Sequence, residues 1–164
     1  CKTTYGETPL HYSCKNGSID IAIKLIELGA DLNCKTKNGE TPLHYSCENG
    51  SFDIANKLIE LGSDVNCKDN YGKTPLHYSC ENDITDVASK LIDFGADLNC
   101  KTKNGETPLH YACKNGEFNI SNKLIMSSAD INCEDKDGNT PLLICISKNH
   151  TELAKLLKEL GAHC

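Results

Sequence analysis

Gly6-Glu7-Thr8-Pro9-Leu10-His11-Tyr12-Ser13-Cys14-Lys15-Asn16-Gly17 is the stretch that decides how the chain is built. Its Thr-Pro-Leu triplet recurs at Thr8, Thr41, Thr74, Thr107 and Thr140, each 33 residues after the last, so the 164 residues form an array of small units with no single central core. Pro9 suits the first helical position, where a missing N–H has no partner to lose. Thr8 then stands at the N-cap, its hydroxyl aimed at the N–H of His11. The spacing predicts a helix over about Pro9 to Asn16, stopped by Gly17 in the left-handed conformation. A second helix follows over about Ser18 to Leu28, with Ile21, Leu25 and Leu28 as its apolar stripe and Gly29 as its terminator. Ala30 to Asn38 is too short and polar for a third helix and reads as an extended finger turning at Asn38-Gly39. Two short helices and a turn cannot bury their apolar faces alone, whereas stacked copies can.

Composition removes several classes. All 17 basic residues are Lys, against 23 acidic ones, for a net charge of −6, and the chain has no Arg, Trp or Gln. Nucleic-acid binding leans on basic surfaces and on Arg forks, so that reading falls away. No run of 18 apolar residues exists, so no membrane insertion is expected, and no basic-then-apolar leader is visible. The single Met, Met126, suits a processed fragment.

The 11 cysteines form two 33-residue series, Cys14, Cys47, Cys80 and Cys113, and Cys1, Cys34, Cys67, Cys100 and Cys133, with Cys145 and Cys164 outside both. An odd number cannot close into a full disulfide set in a monomer. Equivalent residues of stacked helices lie about 8–10 Å apart, too far for a bridge that needs Cα atoms within roughly 7 Å. His11-x-x-Cys14 and its copies are the nearest metal-like pattern, and they keep a redox- or metal-binding thiol array alive as the alternative function. The simpler reading is Cys as a small buried hydrophobe, with no metal and no cofactor. Reduced thiols in this number point to an intracellular, cytoplasmic protein.

Gly-x-Thr-Pro-Leu-His, a helix, Gly, a second helix and then Gly-Ala-Asp-Leu-Asn with a turn resembles the ankyrin repeat. Gly39-Glu40-Thr41-Pro42-Leu43-His44 and Gly62-Ser63-Asp64-Val65-Asn66 repeat the resemblance, which covers essentially the whole chain. It implies an all-α repeat solenoid, an L-shaped ankyrin-type stack of helix-turn-helix units with projecting β-hairpin fingers. The repeats fall at about 6–38, 39–71, 72–104, 105–137 and 138–164 of one array over 1–164, with 1–5 as the remnant of a preceding finger. The resemblance also implies that His11, His44, His77 and His110 hydrogen-bond between neighbouring repeats, and that a concave face of fingers and first helices binds other proteins. Leu25, Asp31 and Asn33, and again Leu58, Asp64 and Asn66, resemble the spacing that asparaginyl hydroxylases accept in such repeats. Because that Asn is also a structural residue of the family, the match discriminates poorly.

Departures between copies carry further expectations. Asn33 to Tyr45 is identical to Asn99 to Tyr111, from recent duplication or for a partner with its own repeating surface; duplication is the simpler account. Asp83 stands where siblings have Gly17, Gly50 and Gly116, and Lys73 replaces Glu7, Glu40 and Glu106. Ser127-Ser128 replaces a Leu-Gly or Phe-Gly pair, at a cost on the order of 1 kcal/mol for each loss, so the junction of repeats four and five is expected to open first. Lys158 and Thr151 replace apolar residues in the last unit, as suits a solvent-facing cap. Cys1-Lys2-Thr3 matches Cys34-Lys35-Thr36, from which further repeats before residue 1 are expected. Asp20 with Lys24, Asp53 with Lys57, and Asp86 with Lys90 are read as i,i+4 pairs on a solvated outer face.

The function expected is a non-catalytic protein–protein interaction scaffold, part of a longer repeat protein and itself a monomer. Finger lysines Lys2, Lys35, Lys37, Lys68, Lys101 and Lys103 favour a partner with an acidic segment. Tyr12, Tyr45, Tyr78 and Tyr111 form a ladder expected to pack between first helices with hydroxyls outward. Tyr5 and Tyr71 are the finger aromatics and the favoured anchors. The candidate docking residues are Tyr5, Lys37, Asn38, Glu40, Asn70, Tyr71, Lys73, Lys103, Asn104 and Glu106 on the fingers, and Glu48, Asn49, Glu81, Asn82, Lys114 and Asn115 on the first helices.

Overall fold

Each Thr-Pro-Leu triplet starts a helix in the computed structural model, which describes residues 2–163. The first helices are α1 (Pro9–Asn16), α3 (Pro42–Asn49), α5 (Pro75–Glu81), α7 (Pro108–Asn115) and α9 (Pro141–Ser147). They alternate with the second helices α2 (Ile19–Glu27), α4 (Phe52–Glu60), α6 (Thr85–Asp93), α8 (Phe118–Met126) and α10 (Thr151–Glu159). First helices pack on first helices and second on second, giving two helical layers. Among the described residues there is no strand. Where β-hairpin fingers were expected, tight turns stand: the Thr36 N–H donates to the Glu40 carbonyl and the Gly39 N–H to the Thr36 carbonyl. Between backbones, neighbouring fingers are joined by one hydrogen bond each, Lys37 N–H to Tyr5 O, Asn70 N–H to Asn38 O and Lys103 N–H to Tyr71 O. Cys1 and Cys164 lie outside the described residues.

The helix starts are capped reciprocally. In α1 the Thr8 side chain faces the N–H of His11, and the His11 ring accepts from the Thr8 N–H at 3.1 Å. The same box holds at Thr41, Thr74 and Thr107. In the fifth unit Leu143 replaces the histidine, and the Thr140 hydroxyl takes the Leu143 N–H at 3.2 Å. Gly17, Gly50 and Gly116 end their helices with φ of 66°, 67° and 75°. Asp83 at φ 56° and Ser128 at φ 72° adopt the same left-handed backbone without being glycine.

The core runs between units as a ladder. Leu10, Leu43, Leu76, Leu109 and Leu142 are buried, as are Leu58, Leu91, Leu124 and Leu157. The predicted stripe of α2 needs correction. Ile21 is 57% exposed and Leu28 is 74% exposed, and Ala22 is the fully buried residue. Ile54, Val87, Ile120 and Leu153, the equivalents of Ile21, are buried because a preceding unit covers them, whereas among the described residues none lies against α2 on that side. The Leu28 position is exposed in its siblings Leu61, Phe94 and Leu160 as well, since it caps the helix on the solvent side. Ser127 therefore gives up no core contact, and only Ser128 remains as a local cost.

The connecting loops form a second ladder. Asp31 Oδ1 accepts from the Asn33 N–H, and Asn33 Oδ1 accepts from the Asp64 N–H of the next unit. The relay continues through Asn66, Asn99 and Asn132 to the N–H of His163. On the outer helices the ion pairs are not the expected i,i+4 ones. Lys90 reaches Glu60 at 3.4 Å and Lys123 reaches Asp93 at 2.9 Å, each in the preceding unit, while Lys24 pairs with Glu27. Stacking brings Glu60 closer to Lys90 than Asp86 of its own helix, and gives Lys123, whose helix has no acid, a partner in the preceding unit.

Candidate docking face

Fingers and first helices together line one side of the array. The histidines that tie it together are structural. The Nδ1 atom of His44 accepts from the Thr41 N–H, so its Nε2 carries the proton and donates to the Lys73 carbonyl at 3.3 Å. His11, His77 and His110 donate likewise to the carbonyls of Glu40, Glu106 and Asn139. Burial pushes His44 and His77 down to about 4, which keeps the rings neutral and this polarity intact.

The tyrosine ladder packs between units. Tyr45, Tyr78 and Tyr111 set their rings edge-on against His11, His44 and His77, with centroids 5.2–5.6 Å apart. Their hydroxyls are not free: sequence reasoning missed that the finger acids receive them. Glu7 accepts from both Tyr12 and Tyr45, at 2.9 and 3.1 Å. Tyr111 donates to Glu106. Where Lys73 removes the acid of the third unit, Tyr78 keeps Glu40 of the preceding unit at 3.3 Å and adds Asp69 at 2.9 Å, a position held by Thr in the first, second and fourth fingers. The two departures, Asp69 and Lys73, thus compensate each other. Side-by-side comparison of the 33-residue copies carried that signal.

Lys73 is re-used. Its ammonium pairs with Glu81 at 2.7 Å and lies over the rings of Tyr78 and Tyr111, 5.4 and 4.8 Å from their centroids. Beside it opens a cavity of about 390 Å³, walled by Tyr71 and Lys73 on one finger and by Thr102, Lys103, Asn104 and Glu106 on the next. Tyr78 and Tyr111 complete it. Five predicted docking residues, Tyr71, Lys73, Lys103, Asn104 and Glu106, therefore meet in one place. Tyr71 is 63% exposed, a large aromatic ring held out by its finger. Glu106 is buried, unlike the exposed contact expected; burial opposes its charge, but hydrogen bonds from Lys114 and Tyr111 outweigh this and hold the carboxyl below its usual value.

The remaining predicted residues divide. Tyr5, Lys37 and Asn38 are exposed on the first two fingers, far along the chain from this cavity. Asn49 and Asn82 cap their own helices, each amide donating to the carbonyl of Tyr45 or Tyr78, and Asn115 donates to Glu81 O at 2.7 Å. Asn70 binds Lys37 O at 2.8 Å. Glu48 is exposed and its carboxyl is raised by partial burial and by the charge of Glu40. Among the finger lysines, Lys35 and Lys101 are spent on carbonyls of the next finger, Lys68 and Glu134. Lys37 and Lys103 have no ion pair among the described residues.

The thiols are sealed in the stack. Cys14, Cys47, Cys80 and Cys113 have no exposed surface, and burial pushes Cys14 up to about 11 and Cys47 up to about 12. Thiols so placed stay protonated and are poor nucleophiles and metal ligands. Among the described residues no group of three or more His, Cys, Asp or Glu side chains is placed to hold a metal ion, and no helix is long and apolar enough to cross a membrane.

Such a two-layer array of stacked helix pairs defines a helical repeat solenoid. The family model for ankyrin repeats (3 copies) matches residues 1–69, 23–102, 58–135 and 80–164, and the chain belongs to the ankyrin-repeat family. Ankyrin repeats are generally protein–protein interaction modules and generally non-enzymatic. No curated protein matches the chain.

Proposed function

We propose that the chain is a non-catalytic scaffold that holds a protein partner on its concave finger and first-helix face, centred on the cavity between the third and fourth fingers. The carrying observation is that cavity: an exposed Tyr71 ring beside Lys73, the unpaired Lys103 and two buried tyrosine rings. Tyrosine on a rigid support, flanked by lysine, is the residue pattern that concentrates binding energy at interfaces. The fingertip lysines suit a partner segment that carries acid. The protein acts as a monomer in a reducing intracellular, cytoplasmic setting, where its sealed thiols persist. A thiol-array function draws no support from side chains so buried.

The test is capture of partners from the source cell, followed by crosslinking at the finger residues. The Tyr71→Ala/Lys73→Glu double variant should lose the partner that the unaltered chain retains. Retention of the same partner by the double variant, with crosslinks mapping to the outer helices, would overturn the reading.

A further inference from the structure

One thiol stands out of register with the others, and it meets another thiol. Cys14, Cys47, Cys80 and Cys113 are buried on the first helices, each aimed across a junction at the residue 32 positions further on. Cys14 is met by the hydroxyl of Ser46 and Cys47 by that of Ser79, and the same register sets the methyl of Ala112 opposite Cys80. At the last junction the residue 32 positions beyond Cys113 is Cys145. The two thiols face each other between the packed helices α7 and α9, close enough for one to donate its proton to the other. The in-register counterpart of Cys113 is Ile146, which is exposed.

The same place offers a way in. A cavity of about 430 Å³ is walled by α9, α10 and the turn between them, with Ile146, Asn149, Ala154 and Lys158 on its sides. Cys145 lines it from beneath without exposing surface of its own. Small movements of the fifth helix pair therefore uncover this thiol, and the surrounding backbone favours such movements. Ser128 and Asn149, before and within the pair, take the left-handed conformation without being glycine, at φ 72° and 61°. The Ser121 hydroxyl beside Cys113 is buried without a partner. The two thiols also differ in reactivity. The proton donated by Cys113 outweighs burial and holds Cys145 below the usual thiol value, while the same contact and burial hold Cys113 above it. Cys145 is thus the sulfur that reacts first with an incoming reagent.

We propose that Cys113 and Cys145 form a reversible disulfide, made by exchange with a small disulfide that enters the cavity beside α9 and α10, and that this bridge fastens the fifth helix pair to the fourth. The Cys145 thiolate attacks one sulfur of the small disulfide, forming a mixed disulfide and releasing one small thiolate. The Cys113 thiolate then attacks the Cys145 sulfur and expels the second. Two electrons pass from the protein sulfurs to the reagent, and the two protons of the protein thiols leave on the two released thiols. Excess reduced small thiol runs both steps backwards, so the bridge follows the redox state of its surroundings.

Glutathione disulfide is the probe. The reduced chain is incubated with it under native conditions, quenched by alkylation at intervals, and mapped by mass spectrometry. A bridge between Cys113 and Cys145 should form about tenfold or more faster than Cys14, Cys47 or Cys80 is modified, and reduced glutathione should reopen it. In the bridged chain, amide exchange in α9 and α10 should slow by about tenfold or more. Cys145→Ser, which installs the residue found at Ser46 and Ser79, should abolish the bridge and the slowing together. Cys145→Ala, matching Ala112, serves the same purpose if the first variant fails to fold. A mixed disulfide that stops at Cys145, a bridge from either cysteine to another thiol, Cys113 reacting no faster than Cys80, or no reaction at all would each overturn the proposal. A bridge that forms but leaves exchange in α9 and α10 unchanged would overturn its role as a fastening.

Discussion

Single side chains here are chosen by the neighbour above or below them. His44 is neutral because its Nδ1 must accept from Thr41 while its Nε2 donates to Lys73 O, and a second proton would set N–H against N–H. Its value and that of His77 are lowered from 6.5 to about 4. A depressed folded value means a contribution that is fully present above pH 6.5 and is lost as pH falls towards about 4. Thermal midpoints measured across that window should fall steadily, and the ring resonances of both residues should titrate near its lower end. Two buried hydroxyls point the other way. Ser63 Oγ and Ser121 Oγ have no hydrogen-bond partner, and the sibling positions hold Ala30, Ala96 and Ala129 or Ala22, Ala55 and Ala88. Ser63→Ala and Ser121→Ala should each raise stability by on the order of 1 kcal/mol in urea unfolding. Loss of stability in either would show that the hydroxyl is satisfied in solution.

At the level of the helix pair, stability is decided at the terminators. Asp83 joins α5 to α6 in the left-handed region, and its carboxylate adds to burial in raising Glu117 on the next pair. Asp83→Gly should therefore stabilise by about 1 kcal/mol, from relief of the backbone alone. Ser128→Gly, at φ 72°, should gain a similar amount. Because the Ser127 position is on the surface in every pair, Ser127→Leu should change the urea midpoint little, although the pattern of repeats suggests a lost contact. Hydrogen exchange should find the junction of the fourth and fifth units opening early in the unaltered chain and later in Ser128→Gly.

Across the array, each pair covers the next, and the ladders of histidine, asparagine and tyrosine all cross the junctions. Such coupling makes the stack cooperative although no contact spans more than neighbours. The sealed thiols belong to this scale as well. Cys14, Cys47 and Cys80 should react with a disulfide reagent only as fast as the stack opens, so urea below the unfolding midpoint should accelerate them together. Fast stoichiometric reaction of these three in the native protein would contradict their packing. A partner steered by fingertip lysines should bind more weakly as salt rises past the range where charges about 10 Å apart still interact.

The 33-residue period, the Thr-Pro start and the glycine stops made the helix pairs legible before any coordinates, because capping and termination are local chemistry. The exposure of the finger aromatics and lysines was legible too, since it follows from the turn they sit on. Other features needed the stack. Ile21 and Ile54 are the same residue in the same local pattern, yet one is exposed and the other buried, because burial is conferred by the adjacent unit. Glu106 reads as a surface acid and is enclosed by Tyr111 and Lys114. Lys90 reaches Glu60, 30 residues back, in preference to Asp86 four residues away, and Lys123, with no acid four residues away, reaches Asp93. In each case the deciding distance is between units, and a linear chain does not state which of its neighbours in space will be nearest.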